Sequence, residues 1–253
     1  MIHGTAIVSK NAQIGNGVEI GPYSIIEDDV VIGDGTKIGP YVVIKNARIG
    51  KNCNIYLGAV IGEDPQVSGW KNVSSCVVIG DNNTVREYVT VHRSFQEGKE
   101  TRIGNNNFIM ANAHIAHDCI IGDGVVITNF AGLTGHVVVE DRAVISGFVA
   151  IHQFVRIGRL SILGGASKVV QDVPPYFIAD GHPASCVGIN SIGLQRAGIS
   201  TKIRQDIKNA YRLLYRSHLN TTQALIRIKE KIPASFEINH LVDFIKNSQR
   251  GIC

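Results

Sequence analysis

An aliphatic residue returns every six positions through the middle of this sequence, and no position in the series is missed. A helix repeats about every 3.6 residues and a simple strand alternates about every two, so neither produces a strict six. A period of six is instead the hexapeptide signature of a parallel β-helix. The series consists of Ile103, Ile109, Ile115, Ile121, Ile127, Leu133, Val139, Ile145, Ile151, Ile157, Leu163 and Val169.

The residues between these aliphatic positions suit a narrow triangular prism. Glycine often follows the aliphatic residue, and the fifth place of most hexads is small, as in Ala113, Cys119 and Ala131. One branched side chain per short strand fills the interior, while small residues let the backbone turn at each corner. We therefore predict a β protein, a left-handed parallel β-helix of hexapeptide repeats. The left hand is a property of this fold class and departs from the usual right-handed crossover.

The same rhythm begins almost at the first residue, so the predicted β-helix covers residues 1–190. One step of five residues, from Ile44 to Ile49, predicts a shortened corner. Two polar stretches interrupt the rhythm, near residues 63–78 and 92–102. Long loops on a rigid scaffold are more often functional than decorative, so we expect both stretches to project as functional loops.

Residues 191–253 change to helical spacing and predict a small C-terminal α-helical subdomain. A first long helix should follow Ser200 or Thr201, and a second should begin at Thr221 or Thr222, because these residue types cap helix N-termini. A third candidate follows. The apolar faces of such helices are best buried against each other and against the prism.

Charge is uneven along the chain. From Asn190 onward there are 11 Lys and Arg against 4 Asp and Glu, a net +7, whereas the whole chain carries +4. Such a basic region could attract an anionic partner, or it could be the solvated faces of basic helices. The sequence leaves both interpretations open.

The compartment and the assembly follow from simple features. Five irregularly spaced cysteines give no disulfide framework, the N-terminus has no apolar leader, and no apolar run reaches about 18 residues. We expect a cytoplasmic protein with no transmembrane segment and no nucleic-acid partner. Flat, partly apolar prism faces are usually buried by association, so we expect a homotrimer with clefts between subunits.

The histidines gather on one edge of the predicted prism. Three hexads make one coil of 18 residues, so residues 18 apart in sequence lie above one another. His117 therefore lies below Gly135 and Gln153, while His136 and His152 each fall one residue from that column. We predict a pile of imidazoles across three successive coils.

This arrangement is suited to acid–base chemistry. His117 is followed by Asp118, and a histidine with an oriented carboxylate is the minimal general base at neutral pH. Gly135 offers a backbone N–H that no side chain blocks, which could stabilise a developing oxyanion. No Ser or Cys is clearly paired with a base, so direct acyl transfer without a covalent enzyme intermediate is the simpler hypothesis.

A metal site is the competing hypothesis. His114 and His117, with Cys119 and His136, are residue types that bind zinc, and hexapeptide prisms also support metal-dependent hydration. Against zinc, the ligands fall in different coils and Asp118 is already accounted for as an orienting group. We predict no metal, and keep a silent or metal-binding scaffold as the alternative.

Five motifs, in order along nearly the whole chain, resemble the UDP-N-acetylglucosamine acyltransferase family. They are Asn112-Ala-His-Ile-Ala-His-Asp-Cys, Gly132-Leu-Thr-Gly-His, Ile151-His-Gln-Phe, Gln171-Asp-Val-Pro-Pro-Tyr and the helical stretch from Ile203-Arg to Tyr211-Arg-Leu-Leu-Tyr-Arg-Ser. The resemblance implies a trimeric cytoplasmic enzyme of lipid A biosynthesis. It would move a 3-hydroxyacyl group from acyl carrier protein, which bears it on phosphopantetheine, to the 3-hydroxyl of UDP-N-acetylglucosamine (UDP-GlcNAc). No other cofactor is implied.

The resemblance also implies roles for single residues. His117 matches the general base, Asp118 its orienting acid, and Gly135 the donor of an N–H to the oxyanion. Gly165 matches the position that measures acyl length, and a glycine there suggests a longer chain. Arg196 matches a residue that meets the nucleotide phosphates. The remaining substrate-binding positions would be His114, His136, His152, Gln153, Gln66 and Asn190.

Some positions depart from the family pattern. In the first loop, Val67 and Gly69 stand where the family usually has Asp and Lys. Later, His182-Pro183 replaces Asn-His, and Ile192 replaces an acidic residue near the uridine. The acceptor could therefore be a modified UDP-sugar, such as one with an amine in place of the 3-hydroxyl. The sequence does not decide between these acceptors, nor whether the protein is a main enzyme or a paralogue.

Overall fold

The computed structural model describes residues 1–253, which form 27 short β-strands followed by four α-helices. The strands of the first half are β1 (Ile7–Val8), β2 (Gln13–Ile14), β3 (Glu19–Ile20), β4 (Ile25–Ile26), β5 (Val31–Ile32), β6 (Lys37–Ile38), β7 (Val43–Ile44), β8 (Ala47–Ile49), β9 (Asn54–Ile55), β10 (Val60–Glu63), β11 (Cys76–Ile79), β12 (Thr84–Val85), β13 (Thr90–His92) and β14 (Glu100–Ile103). Those of the second half are β15 (Phe108–Ile109), β16 (His114–Ile115), β17 (Ile120–Ile121), β18 (Val126–Ile127), β19 (Gly132–Leu133), β20 (Val138–Val139), β21 (Val144–Ile145), β22 (Ala150–Ile151), β23 (Arg156–Ile157), β24 (Ile162–Leu163), β25 (Lys168–Val169), β26 (Phe177–Gly181) and β27 (Ala184–Ile189).

Every third strand pairs in parallel, which produces the three faces of a prism. The first sheet runs from β1 through β4 to β25, the second from β2 through β5 to β23, and the third from β3 through β6 to β24, β26 and β27. Ile115 pairs with Leu133, and Leu133 with Ile151, so each regular coil advances 18 residues. The predicted left-handed parallel β-helix of hexapeptide repeats is confirmed.

The periodic aliphatic residues fill the prism. From Ile103 to Val169 every member of the series is at most 1% exposed. The corners need a left-handed backbone at one residue per turn, and residues with side chains occupy it, as at Asp118 (φ 60°), His136 (φ 61°) and Phe154 (φ 64°). This conformation is costly for most side chains, so the stacked coils must hold it in place.

Three irregular coils in the body of the prism differ at the same edge, where the first sheet turns into the second. Ile44 pairs with Ile61, 17 positions on, which shows the shortened corner between β7 and β8. Ile61 pairs with Val91, 30 positions on, because a loop at residues 64–75 separates β10 from β11. Val91 pairs with Ile115, 24 positions on, because a loop at residues 93–99 separates β13 from β14. We call this the loop edge.

Both loops are shorter than the sequence suggests. The expected boundaries were near 63–78 and 92–102, yet β11 begins at Cys76 and β14 at Glu100. The polar or small residues that open these strands pair with each other, Cys76 opposite Glu100 and Val77 opposite Thr101. Mutual pairing therefore extends both strands beyond the hexapeptide pattern.

The prism ends in a hairpin rather than in another regular coil. After the two prolines, β26 pairs in parallel with β24, and β27 then pairs antiparallel with β26. The hairpin turn contains the cis peptide bond His182–Pro183. The hairpin closes the upper end of the third sheet, and the helices follow directly.

Four helices complete the chain, α1 (Ser191–Arg196), α2 (Thr201–Tyr215), α3 (Thr221–Lys231) and α4 (Phe236–Lys246). Ser200 caps α2, as its position suggests, whereas Asn220 caps α3 in a capping box with Gln223 that sequence reasoning missed. No helix has the length and hydropathy needed to cross a membrane. After α4 the chain returns to the prism, where Gly251 and Cys253 hydrogen-bond to the backbone of Asp172.

Candidate active site

The loop edge holds the predicted base. β16 ends at Ile115 and β17 begins at Ile120, so the corner between them lies at the loop edge and carries His117 and Asp118. One coil higher the same corner carries Gly135 and His136, and the His136 N–H donates to the carbonyl of His117 at 3.1 Å. The predicted stacking of these residues on one edge is therefore present.

His117 and Asp118 form a hydrogen-bonded pair. The distance from Nδ1 of His117 to Oδ2 of Asp118 is 2.7 Å. An ionised carboxylate can only accept, so Nδ1 carries the proton and Nε2 is left as a free base. The His117 side chain is 10% exposed, so only a small part of the ring is open to solvent or substrate.

The Asp118 carboxylate is surrounded by donors. Its Oδ1 accepts from the Ser94 hydroxyl, and its Oδ2 also accepts from the Phe95 N–H at 3.3 Å. Burial raises the pKa of the Asp118 carboxyl, but the hydrogen bonds it accepts, first from His117 and then from Ser94, outweigh burial and leave the pKa below its ordinary value. Asp118 is therefore ionised at neutral pH and can orient the imidazole.

Gly135 lies directly against the free side of the His117 ring. A Cβ at this position would be 2.5 Å from Cε1 and 2.6 Å from Nε2 of His117, so no larger residue fits. The Gly135 N–H makes no hydrogen bond within the chain. An unpartnered N–H on a residue that contacts the base is a candidate donor to an oxyanion.

His136 forms the upper wall of the site. Its ring centroid is 5.2 Å from that of His117, and it stacks on Phe154 at 4.6 Å. Burial lowers the pKa of His136, and the Asp118 carboxylate, 3.9 Å from its Nε2, only partly opposes this effect. His136 is therefore held neutral more strongly than an exposed histidine.

His114 and His92 form a second imidazole pair on the first sheet. Their ring centroids are 5.2 Å apart, and Nδ1 of His114 lies 2.8 Å from the Thr90 hydroxyl. Burial lowers the pKa of His114 to about 4, with smaller contributions from His92 and His117. His114 is thus a neutral hydrogen-bonding group rather than a second base.

The other predicted substrate residues are spread around this centre. His152 and Gln153 are exposed one coil above His136, on the loop edge, and Gln66 is exposed in the loop at residues 64–75. Arg196 is exposed at the end of α1. Asn190 differs, because it is buried, caps α1 through the Gly193 N–H and donates to the Leu160 carbonyl.

Gly165 lies on another edge, where the third sheet turns into the first between β24 and β25. The only atom within 4 Å of a Cβ built there is the Gly147 carbonyl oxygen at 3.6 Å. A side chain at this position would therefore project into open space. Within one chain, the first sheet separates Gly165 from the loop edge.

The zinc set considered from the sequence does not assemble. Cys119 is fully buried, its Sγ lies 3.2 Å from the Thr134 carbonyl, and burial raises its pKa to about 12. A thiol so buried is neither a ligand nor a nucleophile at neutral pH. The donor atoms of His117, Asp118 and His136 do lie within 4.8 Å of one another, so a cation at this trio is a matter for experiment.

Sequence reasoning missed Ser94, which donates to Asp118, and Phe95 and Phe154, which pack on the histidine rings. Ser94 and Phe95 stand in a polar insertion, where the six-residue register is lost and no spacing predicts their position. Phe154 does keep the register, 18 residues above His136. Counting coils would have placed it over that ring.

The prism and its buried His–Asp pair define a left-handed β-helix acyltransferase. Residues 100–135 match the hexapeptide repeats of bacterial transferases, residues 2–95 match the GMPPB C-terminal domain, and residues 172–253 match the second domain of UDP-N-acetylglucosamine O-acyltransferase. The chain is 49% identical to the acyl-[acyl-carrier-protein]–UDP-N-acetylglucosamine O-acyltransferase of Thermodesulfovibrio yellowstonii, covering 100% of this chain and 98% of that one.

Solved structures agree. The UDP-N-acetylglucosamine acyltransferase of Bacteroides fragilis superimposes with a TM-score of 0.98 at 44% identity, with 100% of both chains covered. The enzyme of Acinetobacter baumannii gives a TM-score of 0.95 at 42% identity, covering 99% of this chain and 98% of that one. The chain belongs to the UDP-N-acetylglucosamine O-acyltransferase family.

Proposed function

We propose that the protein transfers an acyl group from acyl carrier protein to a hydroxyl of UDP-GlcNAc in lipid A biosynthesis. The hydrogen-bonded pair of His117 and Asp118 carries this proposal, because it supplies a base with a fixed tautomer. The names of the full-length relatives state the same donor and acceptor. A 3-hydroxyacyl donor and the 3-hydroxyl of the sugar are the finer parts of the proposal.

The proton path follows from the geometry of the pair. Nε2 of His117 takes the proton of the acceptor hydroxyl while its oxygen attacks the thioester carbonyl. The carbonyl oxygen becomes an oxyanion that accepts from the Gly135 N–H. When the C–S bond breaks, the phosphopantetheine sulfur leaves and takes the proton back from the His117 imidazolium, so the enzyme returns to its starting state.

Direct transfer is favoured over a covalent acyl-enzyme. The nearest thiol, Cys119, faces the prism interior, and the Ser94 hydroxyl donates to the Asp118 carboxylate rather than to a base. Neither group can attack a thioester whose carbonyl carbon lies beside the acceptor hydroxyl at Nε2 of His117. A single displacement then needs both substrates bound together.

We propose that His114, His136, His152 and Gln153 line the acceptor and donor cleft, with contacts from Gln66 and Arg196. Gly165 and His117 lie on different edges, so an acyl chain that reaches both must cross the exposed first sheet. A homotrimer with clefts between subunits would cover such a chain and could bring Arg196 to the nucleotide. Asn190 would act there through its support of α1.

The proposed donor also gives the basic C-terminal helices a purpose. Acyl carrier protein is acidic, and the net charge of +7 from Asn190 onward would attract it.

Since acyl carrier protein donors are made in the cytoplasm, we propose that compartment. The acyl group arrives on phosphopantetheine, and we propose no further cofactor.

The test is His117→Ala, assayed with hydroxyacyl carrier protein and UDP-GlcNAc. Loss of a general base should lower kcat by about a thousandfold while the melting temperature stays close to wild type. His3→Ala, at an exposed histidine far along the chain, is the matched control and should keep full activity. Substantial turnover by His117→Ala would refute the assignment, and stoichiometric metal in the active wild-type protein would favour the metal alternative.

One observation favours a second acceptor. Ile192 is 65% exposed at the start of α1, where the family has an acidic residue, and Val67 and Gly69 replace charged residues in the first loop. We propose that these changes, with Pro183, alter contacts to the sugar nucleotide, while the pair of His117 and Asp118 is intact. Comparing kcat/KM for UDP-GlcNAc and its 3-amino analogue decides between ester and amide formation.

A further inference from the structure

The loop at residues 93–99 supplies a group that holds the orienting acid. Ser94 is fully buried and its hydroxyl donates to Oδ1 of Asp118. The Gln96 N–H donates to the same hydroxyl oxygen at 3.0 Å, and the Gln96 carbonyl is a longer, competing acceptor at 3.4 Å. The single Ser94 proton goes to the carboxylate, which is the closer and charged acceptor. The Ser75 hydroxyl donates to the Ser94 carbonyl at 2.6 Å, which fixes the backbone from the other loop.

Both carboxylate oxygens of Asp118 are thereby fixed in direction. Oδ1 accepts from Ser94, while Oδ2 accepts from the His117 ring at 2.7 Å and from the Phe95 N–H at 3.3 Å. The backbone N–H of Asp118 donates to the Thr101 hydroxyl at 2.8 Å. A carboxylate held on both oxygens cannot rotate without losing a charge-assisted hydrogen bond.

The same loop covers the imidazoles. The Phe95 ring lies edge-on to His117 at 5.5 Å and to His136 at 6.1 Å between centroids. This contact limits the water that could compete for Nδ1 of His117. The loop therefore contacts the base through Asp118 at Nδ1, whereas Gly135 lies against Cε1 and Nε2.

We infer that Ser94 and the Phe95 N–H are positioning groups, so that the working unit is Ser94–Asp118–His117 rather than a His–Asp pair. This inference rests on the proposed function. Without the Ser94 hydroxyl, the carboxylate can turn and release Nδ1, and the His117 ring then spends less time with Nε2 free and facing the acceptor. Since Ser94 is buried away from the cleft, kcat should fall while KM changes little.

The loop edge provides a matched control. Ser9 and Asp28 form the same kind of hydroxyl–carboxylate hydrogen bond on lower coils, but no histidine contacts that carboxylate. Ser94→Ala should lower kcat by about tenfold, whereas Ser9→Ala should leave it unchanged. If Ser94→Ala does not fold, Ser94→Cys keeps the shape with a weaker donor and should give a smaller loss.

A double-mutant cycle separates positioning from general stability. In an Asp118→Ala background, Ser94→Ala should cost less than about twofold in kcat, because its only route to the base has been removed. An equal loss in both backgrounds would overturn the inference, as would a Ser94→Ala enzyme as active as Ser9→Ala. A purely structural role would give the same loss with and without the carboxylate.

The tautomer of His117 gives a readout that does not need turnover. Nitrogen-15 NMR of histidine-labelled protein should show Nδ1-protonated His117 in the wild type and a mixture of tautomers in Ser94→Ala. An unchanged spectrum would overturn the inference even if activity fell. Conversely, a wild-type protein inactive with every acyl carrier protein donor would defeat the proposed function, while the NMR result would still decide the role of Ser94.

Discussion

Three histidines of the same site differ because their surroundings differ. In His117, Nδ1 is hydrogen-bonded to a carboxylate and Nε2 is free. In His114, Nδ1 faces a hydroxyl, the ring lies near two other imidazoles, and burial lowers its pKa to about 4. His136, one coil above His117, also has a pKa lowered by burial, which the Asp118 carboxylate partly opposes. Only His117 makes a hydrogen bond to the Asp118 carboxylate, at 2.7 Å against 3.9 Å for His136, and this is what assigns the base.

A methyl group at position 135 tests how closely the base is fitted. Gly135→Ala would put a carbon 2.5 Å from Cε1 of His117, so the ring must move away from the acceptor. We expect kcat to fall about a hundredfold with the melting temperature little changed. Gly188→Ala, where nothing lies within 4 Å of the added carbon, is the control and should match wild type. Activity retained by Gly135→Ala would mean that the ring can take another working position.

The low pKa of His114 predicts a pH dependence of stability. In the unfolded chain this histidine binds its proton near pH 6.5, but in the fold only near pH 4, so the unfolded state binds more protons between those values. Stability should therefore fall as the pH drops from about 6.5 to 4. His114→Gln should show a shallower fall in melting temperature over that window than wild type. A slope equal to that of wild type would show that other groups control acid unfolding.

At the scale of elements, the strands could be predicted but the loop contacts could not. The six-residue series places the strands of the regular coils because each coil repeats one burial pattern, but it does not place the closing hairpin of β26 and β27. By contrast, the insertion at residues 93–99 has no repeat to count, so the sequence could not place Ser94 and Phe95 over Asp118. The predicted starts of both helices are confirmed, α2 at Thr201 after its cap Ser200 and α3 at Thr221, whereas the cap of α3, Asn220, was not predicted.

The two loops are joined by one buried arginine. The Arg93 side chain, 6% exposed, donates to Asp64 at 2.8 Å, to Asn72 at 2.8 Å and to the Val73 carbonyl at 2.9 Å, and it lies over the Trp70 ring. Removing it leaves these acceptors without their donor. The arginine therefore couples the loop that carries Gln66 to the loop that carries Ser94.

Arg93→Ala should destabilise the protein by about 2–4 kcal/mol, because a buried charged donor is lost from several acceptors at once. Arg102→Ala, at an arginine that is 58% exposed and paired with Glu100, should change stability by less than about 1 kcal/mol. Denaturant unfolding measures both, and limited proteolysis should cut Arg93→Ala first within residues 64–75. Equal behaviour of the two variants would show that the loops hold without this contact.

At the scale of the molecule, the β-helix and the C-terminal helices could be predicted from periodicity alone, and the family from five motifs. The positions of the edges that carry Gly165 and His117, relative to each other, could be determined only from the structure. Gly165 follows the hexapeptide pattern as well as His117 does, yet the structure places the two at opposite margins of the first sheet. A sequence pattern gives the coil and the corner of a residue, but not the path that a long substrate takes between corners.

The proposed acyl ruler belongs to this scale, because it acts at a distance from the base. Gly165→Met would fill the open space beside Gly147 and should shift donor preference toward shorter acyl chains. Competition between acyl carrier proteins bearing different chain lengths measures the shift. Gly188→Met, in the closing hairpin, should leave the preference unchanged. The same profile for Gly165→Met and wild type would place the ruler elsewhere.

Three coils depart from 18 residues at the loop edge, and their core residues Ile44, Ile61, Val91 and Ile115 still pair in sequence, although the register shifts at Glu63. Insertions and deletions at this edge therefore leave the core residues paired, while they change what surrounds the base. New donor or acceptor preferences could arise by exchanging the segment at residues 64–75 for one of different length. Selection could then change the loop residues around the base while the paired strands that carry the base stayed the same.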